Sequence, residues 1–181
     1  MKPHSYSTEG IILAKKNHSE ADKILTIYSK NLGKIAVVAK GIRRPKSKKR
    51  GHLEIFNRVS FQASTGHGLD LMTEADVLED FSEIRNNLKK VSVAYYFVEV
   101  IGKITQEAEE NLEIYSLLAS NLERLKSEIK LKDLRLRFVS QVLHILGYWP
   151  RGENIPDPEK ALEEVVERKM STARVGKIIS S

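Results

Sequence analysis

The sequence predicts an α+β fold in two modules, a small β-barrel of five strands followed by an α-helical bundle. Up to about residue 80, short apolar segments of strand type alternate with turns rich in Gly and Asn. From Phe81 onward the apolar residues recur every three or four positions instead, which is the helical period. A chain of 181 residues is long enough to bury a core in each part. We therefore predict one module over residues 1–80 and a second over residues 81–181.

The N-terminal module is predicted to be antiparallel. The five predicted strands cover residues 7–15, 24–28, 35–39, 53–61 and 69–73. The second and third strands flank the turn residues Asn31 to Gly33 and form a hairpin. Asn57 interrupts the alternation of the fourth segment, as a bulge would. Five short strands favour closure into a barrel, which protects strand edges, and the oligonucleotide-binding barrel (OB-fold) has this size.

The C-terminal module is predicted to pack three apolar helix stripes into one core. The first stripe contains Leu88, Val91, Tyr95, Val98 and Ile101; the second contains Leu112, Tyr115, Leu118, Leu122 and Leu125; the third contains Leu134, Phe138, Val142 and Ile145. Tyr95 to Phe97 could alternatively stack on bases, but their apolar neighbourhood favours buried packing. Gly147 is predicted to end the third helix. Asp157 is predicted to cap a last helix from Pro158 to Met170.

Positive charge is concentrated in one segment, Lys40–Arg50, which we call the basic segment. Seven of its eleven residues are Lys or Arg and none is acidic, whereas the whole chain carries a net charge of +6. Residues 1–80 contain 14 Lys/Arg against 9 Asp/Glu, and residues 81–181 contain 16 against 15. Burying a cation without a counter-charge would cost on the order of several kcal/mol. The segment is therefore predicted to be a loop of the barrel that faces water or a polyanion.

The residue types and spacings that mark enzymes and metal proteins are missing. The chain has no cysteine, which excludes disulfides, thiolate zinc sites and cysteine nucleophiles, and its five histidines are scattered. No Gly-rich loop precedes a helix, and Glu109 and Glu110 are adjacent residues that point in different directions. We predict a protein that is not an enzyme, needs no cofactor and binds no metal. Since no apolar run approaches the ~18 residues of a membrane span, we expect a cytoplasmic location.

Several short motifs in order resemble the RecO family of bacterial recombination mediators. They are Glu9-Gly10-Ile11-Ile12-Leu13, Glu20-Ala21-Asp22, Val38-Ala39-Lys40-Gly41-Ile42-Arg43-Arg44, Thr73-Glu74-Ala75 followed by Phe81, Arg85 and Leu88, and Arg137-Phe138 followed by Leu146-Gly147-Tyr148-Trp149-Pro150. The resemblance covers roughly residues 6–150. Many family members carry a four-cysteine zinc element after the last motif, which this cysteine-free chain lacks. Only residues 151–181 follow that motif, so the resemblance does not carry functions of the family's far C-terminal region to this chain.

The resemblance implies a nucleoid-associated protein that binds single- and double-stranded DNA and anneals complementary strands. It also implies that the protein acts with RecR to load RecA onto DNA coated by single-strand-binding protein (SSB). The residues predicted to contact DNA are the basic-segment cations and two others: Lys34, Lys40, Arg43, Arg44, Lys46, Lys48, Lys49, Arg50 and Arg58. An RNA-binding or ribosome-associated barrel is the alternative, because single strands of either nucleic acid suit an OB-fold. A scaffold whose helical half is the functional surface is a third hypothesis.

The resemblance further implies that the acidic, apolar C-terminal tail of SSB docks on the helical module. Such a tail requires an apolar groove with cations at its rim. Arg135 and Arg137 lie next to Leu134, Phe138 and Val142 in sequence, and we predict that they form this site. Arg137 is the stronger candidate because it matches the Arg-Phe motif.

Overall fold

The computed structural model describes residues 4–40 and 53–179, with side chains through residue 168. Five strands come first: β1 (Ser5–Asn17), β2 (Lys23–Ser29), β3 (Gly33–Ala39), β4 (Arg58–Ser64) and β5 (Asp70–Glu79). Five helices follow: α1 (Ser82–Arg85), α2 (Leu88–Ile104), α3 (Leu112–Leu125), α4 (Leu131–Ile145) and α5 (Pro158–Ile179). The predicted order, a strand module and then a helical module, is confirmed.

The strands form a closed barrel in the order β1-β2-β3-β5-β4. All neighbouring strands are antiparallel except β3 and β5, which pair in parallel at Val37–Asp70 and Val38–Leu71. Alternate residues of each strand point inward and fill the barrel with a separate apolar core that includes Leu25, Val37 and Phe61. The predicted OB-like barrel is therefore confirmed, and it closes through the short pairing of β3 with β5.

The fourth predicted strand began too early. Residues 53–57 form a loop, and β4 begins only at Arg58. Phe56 has a φ of 60°, in the left-handed region that a strand residue does not adopt, and its ring is fully buried. Asn57 is also buried, and its side-chain oxygen accepts a hydrogen bond from Arg85. Asn57 thus interrupts the alternation because it lies in a structured loop before the strand.

The helices pack around a second core, which also covers one face of the barrel. Barrel residues Ile11, Leu13, Tyr28 and Phe56 belong to this core together with residues of all five helices. Phe97 of α2 and Phe138 of α4 meet at its centre with ring centroids 4.2 Å apart. The two modules are therefore joined by continuous apolar packing.

The helix predictions hold best at the bundle centre. Val98 and Ile101 are buried as predicted, but Leu88 is 82% and Tyr95 is 44% exposed, so the predicted stripe of α2 is wrong at those two positions. Leu112 is likewise exposed at the start of α3. Both exposed leucines are the first residues of their helices, where the chain has not yet entered the bundle. The periodic pattern cannot distinguish such ends from the core.

The helix ends follow the predicted chemistry. Gly147 has a φ of 74° just beyond α4, as a C-terminal glycine does. The Asp157 carboxylate accepts a hydrogen bond from the Lys160 amide at 3.1 Å, and Pro158 is the first residue of α5. The last helix extends to Ile179, nine residues beyond the predicted end at Met170. No described helix has the length and apolar character that a membrane crossing requires.

Candidate nucleic-acid interface

One end of the β1-β2-β3 face is covered by the helical module. The β2–β3 turn contacts the loop between α2 and α3: the Lys34 carbonyl accepts a hydrogen bond from the Ala108 amide at 2.9 Å. The Lys34 ammonium donates to the carbonyls of Gly102 and Thr105, at 2.7 and 2.6 Å. Both carbonyls belong to the C-terminal end of α2, where the helix dipole favours a cation. We therefore assign Lys34 a structural role and leave it out of the candidate interface.

The opposite end of the same face is open and carries lysines. Lys23 on β2 pairs with Asn17 on β1 and with Ala39 on β3. Lys16 precedes Asn17 and Lys40 follows Ala39, so the three lysines lie at the same end of three adjacent strands, with Lys23 on the strand face opposite to that of Lys16 and Lys40. Lys16 is level with Val38, two residues before Lys40, so the outer two lysines are about 12 Å apart at the backbone.

These lysines are accessible to a ligand. Lys16 and Lys40 are exposed and Lys23 is partly exposed, and the β1–β2 turn at the same end contains Glu20 and Asp22. β3 ends here, and Lys40, the residue after it, is the first residue of the basic segment. We call Lys16, Lys23 and Lys40 the lysine row. In the sequence, the other six cations of the basic segment follow Lys40.

Six of the predicted DNA-contacting residues lie outside the described part of the chain. They are Arg43, Arg44, Lys46, Lys48, Lys49 and Arg50. Their assignment therefore stays a prediction. Lys40 is described and exposed, at the position where the prediction placed it.

Arg58 is placed away from the lysine row. It is the first residue of β4, its Nε is buried, and it lies opposite Ile11 of β1. Burial and the nearby Glu9 carboxylate raise the pKa of Tyr115 to about 12, and the positive charge of Arg58 opposes that rise. Arg58 thus lies in the contact between the barrel and α3, and we do not include it in the candidate interface.

Sequence reasoning missed Lys16 and Lys23. Lys23 has no cation next to it in the sequence and Lys16 has only Lys15, so composition does not single out either residue. Lys15 itself is bound to Glu54 at 2.6 Å, so only one member of that pair is available. The signal that could have found them is register: a hairpin between the first two predicted strands places residues 16 and 23 on neighbouring strands, at the end where the third strand also ends.

The predicted apolar groove for an acidic tail is wrong, because its apolar residues do not lie on the surface. Leu134, Phe138 and Val142 are fully buried and point into the bundle core, so they offer no surface. Arg135 binds Glu159 of α5 at 2.6 Å and its guanidinium lies 5.1 Å from the centre of the Tyr96 ring. Arg137 is half exposed, with its guanidinium 3.5 Å from the Glu128 carboxylate. The three apolar residues share one helix face that the core already occupies.

Arg137 has a different apolar neighbour. Glu128, which Arg137 contacts, also accepts hydrogen bonds from the backbone amides of Ile129 and Lys130, at 3.0 and 2.9 Å. These amide hydrogen bonds lower the pKa of Glu128, and the charges of Arg137 and Arg124 lower it further. Ile129, the residue after Glu128, is 86% exposed. The α3–α4 turn therefore presents an exposed apolar residue directly after the carboxylate that Arg137 contacts, although not in a groove.

The described residues contain no cluster of side chains that could hold a metal ion. Within residues 4–40 and 53–168, no three His, Asp or Glu side chains are placed to share a metal ion. Two of the tyrosines with raised pKa values, Tyr28 and Tyr115, owe that rise first to burial in the contact between the modules. Tyr28 reaches about 12, with Glu109 contributing after burial. These groups are structural, because burial keeps both hydroxyls protonated in the core.

The chain matches two family models that follow each other along the sequence. The model described as Recombination protein O N terminal matches residues 1–81, and the model described as Recombination protein O C terminal matches residues 85–154. The first match ends with the barrel and the second covers α2 to α4.

Curated relatives named DNA repair protein RecO are similar over most of this chain. The relative from Roseiflexus sp. (strain RS-1) is 33% identical over 152 residues, covering 83% of this chain and 53% of the relative. Those from Dehalococcoides mccartyi and Desulforamulus reducens are 34% and 38% identical, covering 82% and 93% of this chain and 59% and 64% of the relatives. The chain thus spans between half and two thirds of the length of these relatives. With both family models matched in order, this chain belongs to the RecO family of DNA repair and recombination proteins.

Proposed function

We propose that this chain is a DNA-binding recombination mediator that uses the lysine row and the basic segment to bind single- and double-stranded DNA. The observation that supports it best is that Lys16, Lys23 and Lys40 lie at one end of the barrel, and that six more cations of the basic segment follow Lys40 in the sequence. The other end of the same face is closed by the helical module. DNA binding is therefore directed to one end of one module.

The chemistry of this surface suits phosphates more than bases. Lysine is a flexible point charge, and contacts between cations and phosphates position nucleic acid without distinguishing its sequence. The partly exposed Ile24 and Val38 lie beside the lysines. The described strands contain no exposed aromatic residue on which a base could stack. We expect binding with little sequence preference and strong dependence on salt.

The same charge supports annealing of complementary strands. Two single strands repel each other through their phosphates, and a surface that neutralises part of that charge lowers the cost of bringing them together. We propose that this chain anneals complementary strands and, acting with RecR, helps load RecA onto DNA coated by SSB. The RecR, SSB and RecA roles rest on the family resemblance.

Salt dependence tests the DNA site. If about five cations contact phosphates of a single strand, log affinity should fall with log salt with a slope of about −3.5. Replacing Lys16, Lys23, Arg43 and Arg44 with Ser should reduce that slope toward about −1, measured by fluorescence anisotropy of a labelled oligonucleotide between about 50 and 200 mM salt.

The matched control removes the same charge from the other module. Lys89, Lys130, Lys132 and Lys160 are exposed lysines of the helical half, and their combined change to Ser lowers the net charge by the same amount. An equal reduction of slope in both variants would show that overall charge, and not this end of the barrel, attracts DNA. Competition by RNA of the same sequence tests the alternative: an RNA preference above tenfold would favour an RNA-binding barrel.

A further inference from the structure

The helical module carries a groove that the proposed DNA site does not use. It lies between α2 and α5, is open to solvent and encloses about 350 Å³. Its floor is apolar and is formed by Tyr96 and Val100 of α2 and by Leu162 and Val166 of α5. Val100 and Leu162 are largely buried, whereas Tyr96 and Val166 remain partly exposed within it. The groove therefore offers apolar surface that a ligand could cover.

The rim of the groove is acidic. Its charged lining residues are four carboxylates and one ammonium: Glu99, Glu159, Glu163, Glu167 and Lys103. Lys103 pairs with Glu99 on the same helix, and Arg135 binds Glu159 from α4. No ion pair among the described side chains involves Glu163 or Glu167. Two exposed carboxylates one helical turn apart on α5 thus remain uncompensated there.

The carboxylates of the rim affect the pKa of a tyrosine on the groove floor. Burial raises the pKa of the Tyr96 hydroxyl, and the Glu159 carboxylate raises it further. Glu163 and Glu99 act in the same direction, while Arg135 opposes them. Three carboxylates therefore influence the hydroxyl against one guanidinium. The local field in the groove is negative although the chain as a whole carries a charge of +6.

We propose that the α2–α5 groove is a docking site for a cationic, amphipathic peptide segment of a partner protein. Apolar side chains of the segment would cover Tyr96 and Val166, and its lysines or arginines would meet Glu163 and Glu167. Charge complementarity selects this class of partner, because an acidic segment or a nucleic-acid strand would be repelled by the same carboxylates. The groove is thus opposite in charge to the lysine row, and the two surfaces attract different ligands.

A synthetic peptide of about four helical turns tests the site. Its leucines are spaced as on one face of a helix and its remaining positions are lysine, and a fluorescent label reports binding by anisotropy. The Glu163→Lys/Glu167→Lys protein should bind this peptide at least about tenfold more weakly than the unchanged protein. The control is Glu164→Lys/Glu153→Lys, because both residues are exposed, lie outside the groove and give the same change of net charge.

Two further measurements separate the apolar floor from simple charge attraction. A peptide with serine in place of leucine should bind about tenfold more weakly, and Val166→Ser should weaken the leucine peptide but not the serine peptide. Thermal unfolding of every variant confirms that the fold is kept. DNA affinity is measured in parallel, so that failure of this proposal is distinguished from failure of the DNA-binding proposal.

The proposal is overturned by any of three results. The first is equal peptide binding by the groove variant and its control. The second is equal binding of the leucine and serine peptides, which would mean that only surface charge is involved. The third is self-association of the unchanged protein that the Glu163→Lys/Glu167→Lys change abolishes, since the occupant would then be a second copy of this chain. Weaker binding confined to the groove variants supports it.

Discussion

Arg85 shows how much a single side chain can organise in this protein. Its guanidinium donates to the Ile55 carbonyl at 2.9 Å and to the Asn57 side chain at 2.6 Å, and its Nε donates to the Asp80 carbonyl at 3.1 Å. The same group lies 4.0 Å from the centre of the Phe56 ring. One arginine thus joins the loop before β4, the end of β5 and α1. Only the planar, forked guanidinium provides donors in these three directions.

Arg137 is the residue at which an acidic tail peptide should be sensitive to mutation. A carboxylate docked beside Ile129 would receive a charge-assisted hydrogen bond from Arg137, worth about 1.5–3 kcal/mol, whereas the present contact with Glu128 is an exposed, solvent-screened ion pair that contributes little. Arg137→Ala should therefore weaken binding of an acidic, apolar SSB tail peptide about tenfold, as measured by isothermal titration calorimetry. DNA binding should change little, because the lysine row lies in the other module.

Arg151→Ala is the matched control for Arg137. Arg151 is also an exposed arginine of the helical module, paired with Glu113 at 3.0 Å, but it lies far in sequence from the α3–α4 turn. It should leave tail binding unchanged. If the two variants lose tail binding equally, or if Arg137→Ala loses DNA binding as well, the assignment of separate roles to the two modules is wrong.

At the scale of elements, the β2–β3 hairpin is the piece of the barrel that fixes the helical module. Gly33 at its tip has a φ of 66°, and a Cβ atom there would lie 2.1 Å from the Glu109 carbonyl oxygen. Lys34, the next residue, binds the end of α2. The hairpin tip therefore contacts the α2–α3 loop so closely that no side chain fits between them.

Gly33→Ala should consequently lower the free energy of unfolding by more than the cost of a left-handed backbone alone. Gly147→Ala is the control, because Gly147 has a similar φ of 74° but no heavy atom within 4 Å of an added Cβ. The left-handed backbone costs about 1–2 kcal/mol at both positions, and overpacking adds about 1–3 kcal/mol at Gly33. Urea unfolding of both variants measures the difference. Equal losses would contradict a tight contact between hairpin and loop.

The sequence predicts elements here better than it predicts their surroundings. The strands, the turn glycine Gly33 and the Asp157 cap follow from local rules, and the structure has them. The late start of β4 does not follow, because it depends on Arg85, 28 residues beyond Asn57 in the chain. The stripe on α4 is predicted for the core, where it lies, and also for a docking groove, which it does not form, since periodicity shows which residues share a face and not what that face contacts. Finding the lysine row requires the register of the strands, which cannot be read directly from the sequence.

At the scale of the whole molecule, an ion pair links the two modules beside their shared core. Glu79 ends β5 and Lys126 follows α3, and their side chains are 3.0 Å apart. Burial favours the neutral form of Glu79, but hydrogen bonds from Lys126 and from the Phe81 amide outweigh it, so the pKa of Glu79 is lowered. Burial acts against the charge of Lys126 too, but the carboxylates of Glu123 and Glu79 prevail and raise its pKa.

These shifts set the pH range in which the link stabilises the protein. A carboxyl group with a lowered pKa in the folded state stabilises it above its unfolded value, 4.5 for Glu79, and that contribution is lost as pH falls through the lower folded pKa. An amine with a raised pKa stabilises the folded state below its unfolded value, 10.5 for Lys126, and that contribution is lost as pH rises further. The link should therefore be fully effective between these two values.

Lys126→Met tests this link between the barrel and the helices. At neutral pH the change leaves Glu79 partly buried without its cation, and we expect the free energy of unfolding to fall by about 2 kcal/mol. Because protonation of Glu79 removes the same interaction from the unchanged protein, the difference between the two proteins should shrink as pH falls below 4.5. Chemical unfolding at a series of pH values measures it, with the exposed Lys130→Met as a control expected to stay within about 0.5 kcal/mol of the unchanged protein. A difference that is constant from neutral to acid pH would mean that Lys126 stabilises the protein through its ammonium over the Phe81 ring, 5.3 Å from the ring centre, and not through the charge of Glu79.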